Sequence, residues 1–168
     1  INTLRNLVSY IQQDSFFFKD TIKNNLNIVN SNVTDEEIEE ACKKAEIYNK
    51  IISLPNGFNT LLGENASILS GGEKQRLAIA RGLLKKAKVF LFDEVTSNLD
   101  GETEKEILKT LLQLGEEYTV IIIAHRVTLV ENIPRIIVLD KGRVVGEGNH
   151  NYLLGMCKEY QRLFKKRE

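Results

Sequence analysis

Leu69-Ser70-Gly71-Gly72-Glu73-Lys74-Gln75-Arg76, followed after a short helical stretch by Val89-Phe90-Leu91-Phe92-Asp93-Glu94, is the stretch around which the rest of the sequence can be arranged. Residues 89–92 are apolar at consecutive positions, as a strand buried on both faces of a parallel sheet must be. Asp93 and Glu94 stand at its carboxyl end, where open parallel sheets collect ligands. Adjacent acids on a strand point to opposite sides and can take different tasks. One can hold a magnesium ion through water, because magnesium prefers oxygen ligands and keeps part of its hydration. The other can orient or deprotonate an attacking water. An isolated Asp-Glu pair at a strand end is commonly just solvated, so the neighbouring motif has to carry the chemical reading.

That motif begins with a hydroxyl, Ser70, and two residues without side chains, Gly71 and Gly72, ahead of an amphipathic helix bearing Leu77, Ala80, Leu83 and Leu84. A helix start offers free amides and the positive end of the helix dipole, a place for phosphate oxygens. Alone, it would be an ordinary cap and turn.

Working outward, Leu7-Val8-Ser9-Tyr10-Ile11 reads as a short strand stopped by Gln12-Gln13-Asp14, with Gln13 in the following loop, where it could touch the same metal or water. Phe16, Phe17 and Phe18 read as packing residues. Thr34-Asp35-Glu36-Glu37 is a capping box before a helix whose stripe is Ile38, Ala41, Cys42 and Ala45. Asp100 caps a helix expected to end at Gly115. Residues 118–124 form the next buried strand, with His125 at its end, placed to donate to a phosphate or to serve structurally. Residues 135–139 and 143–145 make two more strands, and Asn149 caps one final helix, where His150 reads as structural. The expected fold is α/β in one domain over 1–168. Its sheet core takes 1–13 and 88–148, a helical subdomain is inserted at 14–87, and a C-terminal helix occupies 149–168.

The bulk numbers agree with a globular chain: 168 residues, 42% apolar and 27% charged. Twenty-three basic and 23 acidic residues cancel, so no broad basic field favours nucleic acid, and no nucleic-acid partner is expected. The longest apolar run is 120–124, far below the roughly 18 residues of a membrane span, so a soluble chain is expected. Cys42 and Cys157 lack C-x-x-C spacing and fit a reducing compartment without a zinc site.

On these residues the sequence resembles the ATP-binding cassette (ABC) ATPases, a P-loop NTPase-like family. Leu69, Ser70, Gly71, Gly72 and Glu73 are similar to the signature motif, residues 89–94 to the Walker B strand with its catalytic glutamate, and Ser97-Asn98-Leu99-Asp100 to the D-loop. His125 resembles the switch histidine and Gln13 the Q-loop glutamine. The resemblance spans essentially all 168 residues. Gln13-Asp14-x-x-Phe17-Phe18, Gly63-Glu64 and Gly148-Asn149-His150 resemble the exporter branch, in which the Gly63-Glu64 segment contacts the transmembrane domain. Glu73 stands for the commoner glutamine, Val95 and Asn98 for alanines, and Gly82 for another alanine, at some helix cost.

The resemblance implies ATP and Mg2+ as ligands, with Asp93 and Gln13 on the metal and Glu94, His125 and Gln13 catalytic. It also implies a second nucleotide-binding domain arranged head to tail, so that Ser70, Gly71 and Gly72 read the phosphate held by the partner. The expected setting is the cytoplasmic face of a cell membrane, as part of a transporter. A soluble non-transport ABC ATPase, or a half lending only its signature motif, are the alternatives. None of the 11 glycines is followed by lysine, so the G-x-x-x-x-G-K-[ST] loop is missing and is expected upstream of residue 1. Half the phosphate cradle being absent, this polypeptide alone is expected not to turn over ATP, and an unpaired strand edge is expected to make it oligomerise or exchange elements.

Overall fold

A computed structural model describes residues 6–96, 98–124 and 130–165, with side chains as far as 163. The chain divides into two compact units, Ile1–Ile123 and Ala124–Glu168. The first holds a parallel sheet of β1 (Val8–Gln12), β2 (Val89–Asp93) and β3 (Thr119–Ile123) in the order β1-β2-β3. Its register aligns Gln12 with Asp93 and Asp93 with Ile123. All three strands therefore end in one row, which brings the residues after them to a common edge.

Between β1 and β2 lie α1 (Ile22–Asn27), α2 (Asp35–Lys44), α3 (Tyr48–Ser53) and α4 (Gly71–Leu84), with short 3-10 turns at Gly57–Asn59 and Glu64–Ala66. The capping box of α2 forms: the Glu37 amide donates to Thr34 Oγ1 at 3.3 Å and the Thr34 amide to Glu37 Oε2 at 3.0 Å. The stripe Ile38, Ala41, Cys42 and Ala45 is buried. Phe90, Phe92, Leu77, Ile79 and Ile107 are fully enclosed in the same core, each worth roughly 2–3 kcal/mol of transfer free energy. At Gly82, α4 lies so close to β1 that a Cβ would stand 3.0 Å from Ser9 Oγ and 3.2 Å from Ile11 Cδ1, and Lys85 Nζ donates to the Val8 carbonyl at 2.6 Å. The glycine read as a helix cost thus permits close approach of helix to strand.

The helix α5 (Gly101–Glu117) passes through Gly115 instead of ending there. Its end is set two residues later, where the Tyr118 amide closes on the Leu114 carbonyl at 2.9 Å and the Tyr118 ring meets Phe90 edge-on at 5.0 Å. Packing overrides the glycine stop. Expected as a buried strand, β3 leaves Ile121 48% and Ile123 42% exposed, because they lie on the face of the sheet that also leaves Tyr10 and Gln12 exposed. Of the three phenylalanines expected to pack, only Phe17 is buried; Phe16 and Phe18 are exposed and touch each other edge to face at 4.9 Å.

In the second unit, β4 (Ile136–Asp140) and β5 (Arg143–Gly148) form an antiparallel hairpin, so the expected sheet core over 88–148 is divided between two sheets. The reason is local. Lys141 and Gly142 both take positive φ, 46° and 75°, the two-residue turn that folds a strand back on its neighbour. The expected single last helix is two, α6 (His150–Met156) and α7 (Lys158–Lys165), broken where Cys157 turns out of helical conformation and buries its side chain against Gly146. His150 is structural here: its Nδ1 lies 3.0 Å from the Tyr160 hydroxyl.

Candidate functional site

The row of strand ends makes a cavity of about 270 Å³ lined by Tyr10, Gln12, Gln13, Asp14, Asp93 and Glu94. Gln13, Asp93 and Glu94, far apart in sequence, are thereby brought together. Glu94 has a positive φ of 52°, a conformation that a glutamate adopts at a cost of order 1 kcal/mol, and its amide is anchored to the Ile123 carbonyl at 3.0 Å. The strained residue is pinned across to β3 rather than trailing into the loop. His125 and Ser97, expected at this edge and in the following loop, lie outside the described residues.

Tyr10 was not among the candidate site residues. Its hydroxyl donates to Asp93 Oδ2 at 2.6 Å, and that hydrogen bond holds the phenol above its ordinary pKa. Strand alternation gives the signal in hindsight: Tyr10 lies two residues before Gln12, hence on the same face, and Gln12 pairs with Asp93.

No residue of the 69–76 stretch lines that cavity. Ser70 instead caps α4 through a second capping box, its Oγ accepting from the Glu73 amide at 3.3 Å while Glu73 Oε2 accepts from the Ser70 amide at 2.8 Å. The other Glu73 oxygen meets Lys50 Nζ at 3.0 Å. Burial pushes the Glu73 carboxyl up, but the Ser70 amide and Lys50 outweigh it and hold it below the usual range. Glu73 thus has two bonds within its own chain, and the box leaves the amides of Gly71 and Gly72 at the helix start. Leu69 is buried and Ser70 exposed.

The turn before α5 lies against this helix start. Asp100 caps α5 by accepting from the Glu102 amide at 3.1 Å, the Thr103 amide at 3.0 Å and Thr103 Oγ1 at 2.7 Å, and the Thr103 bonds keep its carboxyl acidic. A Cβ on Gly71 would stand 3.2 Å from Leu99 Cδ2, while Asn98 is exposed. One turn further, Arg76, only 8% exposed, is held by Glu46 at 2.8 Å and Glu106 at 2.7 Å. Glu64 is exposed in its 3-10 turn after Gly63 and does not line the strand-end cavity. Among the described residues no group of three or more His, Cys, Asp or Glu side chains converges as a metal cage, and no helix is long and apolar enough to cross a membrane.

A parallel α/β sheet with paired acids at its carboxyl edge, and a capped Ser-Gly-Gly helix start that does not line the cavity there, define the class of domain. The chain belongs to the ABC transporter family, whose profile matches residues 1–97. It is 45% identical over 163 residues to the ATP-dependent lipid A-core flippase of Desulfotalea psychrophila, covering 97% of this chain and 28% of that one. It is 42% identical to ABC transporter B family member 24, mitochondrial, of Arabidopsis thaliana, covering 98% of this chain and 24% of that protein. Among solved structures, a bacterial Atm1-family ABC exporter with ATP bound is 39% identical, with a TM-score of 0.87 over 99% of this chain and 29% of that one. The chain therefore spans about a quarter of the length of the relatives it matches.

Proposed function

We propose that this chain is the part of an ABC exporter that hydrolyses ATP together with a second copy or homologue of itself. The observation carrying this reading is the separation of two half-sites. Gln13, Asp93 and Glu94 share one cavity at the strand ends, and Ser70, Gly71 and Gly72 form a helix start that takes no part in lining it. In a head-to-tail pair, each half-site faces the complementary half of the partner. The amides of Gly71 and Gly72 and the Ser70 hydroxyl then bind the terminal phosphate of one ATP, while Glu94 orients the water that attacks the other.

The donor set at the strand ends suits magnesium, since Asp93 offers carboxylate oxygens and Gln13 an amide oxygen, and magnesium keeps several waters. Bound with ATP, the ion would neutralise charge on the phosphate oxygens. Tyr10 fixes one Asp93 oxygen, and the other, which takes no hydrogen bond from the described residues, would accept from a metal-bound water. Phe16 and Phe18, which touch each other edge to face, and Leu61, bridged to Thr21 and two residues before Gly63, are exposed apolar side chains, which supports docking to a transmembrane domain on the cytoplasmic side of a membrane. Phosphate release from ATP by the longest polypeptide the coding sequence specifies tests the reading. Glu94→Gln should abolish turnover while leaving ATP binding, and retained turnover would refute it.

A further inference from the structure

We propose that Thr103 is a positioning residue: it registers the Gly71-Gly72 start of α4 against the Asp100 turn at the start of α5, so that the two junctions shift as one body. Thr103 is tied twice to Asp100, by its amide at 3.0 Å and by its hydroxyl at 2.7 Å. The hydroxyl bond fixes χ1 of this β-branched side chain, and fixing the oxygen also fixes the methyl. That methyl, Cγ2, occupies the space in which residue 72 would carry its Cβ. Gly72 is buried, so the contact is not a surface graze.

Two neighbouring contacts keep the same register. Leu99 Cδ2 stands where a Cβ on Gly71 would come within 3.2 Å, and Glu106, one turn beyond Thr103, takes Arg76, one turn beyond Gly72, at 2.7 Å. Ordinary close packing of two helices would need only a missing Cβ. Here the group filling the gap is aimed by the same carboxylate that caps α5. A shift of Asp100 releases the Thr103 hydroxyl and lets the methyl leave Gly72; a shift of Gly72 pushes the methyl and strains the cap. The consequence for function rests on the reading of Ser70–Gly72 as phosphate-binding: a phosphate at this helix start would be felt at the Asp100 turn of the same chain.

Amide hydrogen exchange on the longest polypeptide the coding sequence specifies tests this without nucleotide. Gly72→Ala should make Thr103 rotate away from Asp100 and speed exchange of the Thr103 amide about tenfold or more. Asp100→Ala should in turn speed the Glu73 amide, across the interface. The double variant Gly72→Ala/Thr103→Ser carries the methyl from one helix to the other and keeps the hydroxyl, and should return exchange to within about threefold of the parent. Should Gly72→Ala alone fail to fold, a folded double variant with parental exchange is the expected result. An unchanged Thr103 amide in a folded Gly72→Ala, an unchanged Glu73 amide in Asp100→Ala, or a double variant no better than the single would each overturn the proposal. Addition of ATP with magnesium to the parent separates the two ideas. Absent protection at Gly72 and Glu73, alongside an intact methyl-transfer result, would refute the phosphate reading and leave the positioning role standing.

Discussion

The Tyr10 hydroxyl donates to Asp93 Oδ2 at 2.6 Å, joining the two strands at the residue proposed to hold the metal. Tyr10 is 49% exposed, so little stability depends on the bond. Tyr10→Phe is expected to move the melting temperature by less than about 3 °C, yet to raise the magnesium concentration giving half-maximal ATP hydrolysis about two- to tenfold, because Asp93 loses its fixed orientation. A magnesium titration of ATP hydrolysis by the longest polypeptide the coding sequence specifies, with and without the substitution, checks this; identical curves would remove Tyr10 from the site.

Arg76 is nearly enclosed, but its partners Glu46 and Glu106 have side chains 43% and 57% exposed. Removing the arginine leaves carboxylates that water can reach, so the loss should fall short of that for a fully buried pair. Arg76→Ala is expected to destabilise by about 1–3 kcal/mol, measured by urea unfolding, and Arg76→Lys to recover only part of this, since an ammonium lacks the fork that spans two acids.

Three carboxylates that close helix starts are held below their ordinary range. Lys86 and then the Thr34 amide act on Glu37; the Thr103 amide and then its hydroxyl act on Asp100; on Glu73 burial opposes the shift, but the Ser70 amide and Lys50 prevail. A lowered folded pKa means that the unfolded chain takes up protons first as pH falls. The stabilisation is therefore complete above the unfolded values, near pH 4, and is lost as pH drops through the folded ones. The urea midpoint should be flat from pH 7 to about 5 and fall below about pH 4, less steeply in Glu37→Gln. A midpoint that rises on acidification would contradict the assigned bonds.

Both described cysteines are buried, and burial pushes the Cys42 thiol up to about 12. Neither should react with a thiol reagent at pH 8 in the folded chain, and both should react after denaturation. Rapid native labelling of Cys42 would mean that α2 is not packed as described.

Much of this was legible in the sequence because local chemistry decides it. Thr34, Ser70 and Asp100 cap helices through their own neighbours, and residues 89–93 can bury their phenylalanines only as a sheet strand. What escaped depends on register between distant segments. Tyr10 reaches Asp93 because β1 pairs with β2, and Thr103 meets Gly72 because two helices cross at one place. The end of α5 escaped for the same reason, being set by Tyr118 packing on Phe90 rather than by Gly115.

In the sequence as it stands, no glycine precedes a lysine, so the loop that would cradle the β- and γ-phosphates is absent from these 168 residues. The isolated chain is expected to show no Glu94-dependent ATP hydrolysis. A phosphate-release assay comparing it with its Glu94→Gln variant checks this, and a clear difference between the two would refute it.

In the proposed arrangement the Ser70 helix start and the Asp93-Glu94 strand end serve different ATP molecules in a head-to-tail pair. Complementation tests it directly, with a Ser70→Ala variant and a Glu94→Gln variant of the longest polypeptide the coding sequence specifies, each assayed alone and after mixing and re-pairing. If the half-sites belong to different ATPs, each mixed pair contains one composite site intact in both halves. Random pairing should then restore about a quarter of parental ATP hydrolysis. If both halves act on one ATP within a chain, every site carries a defect, and activity after mixing would stay at the average of the two variants.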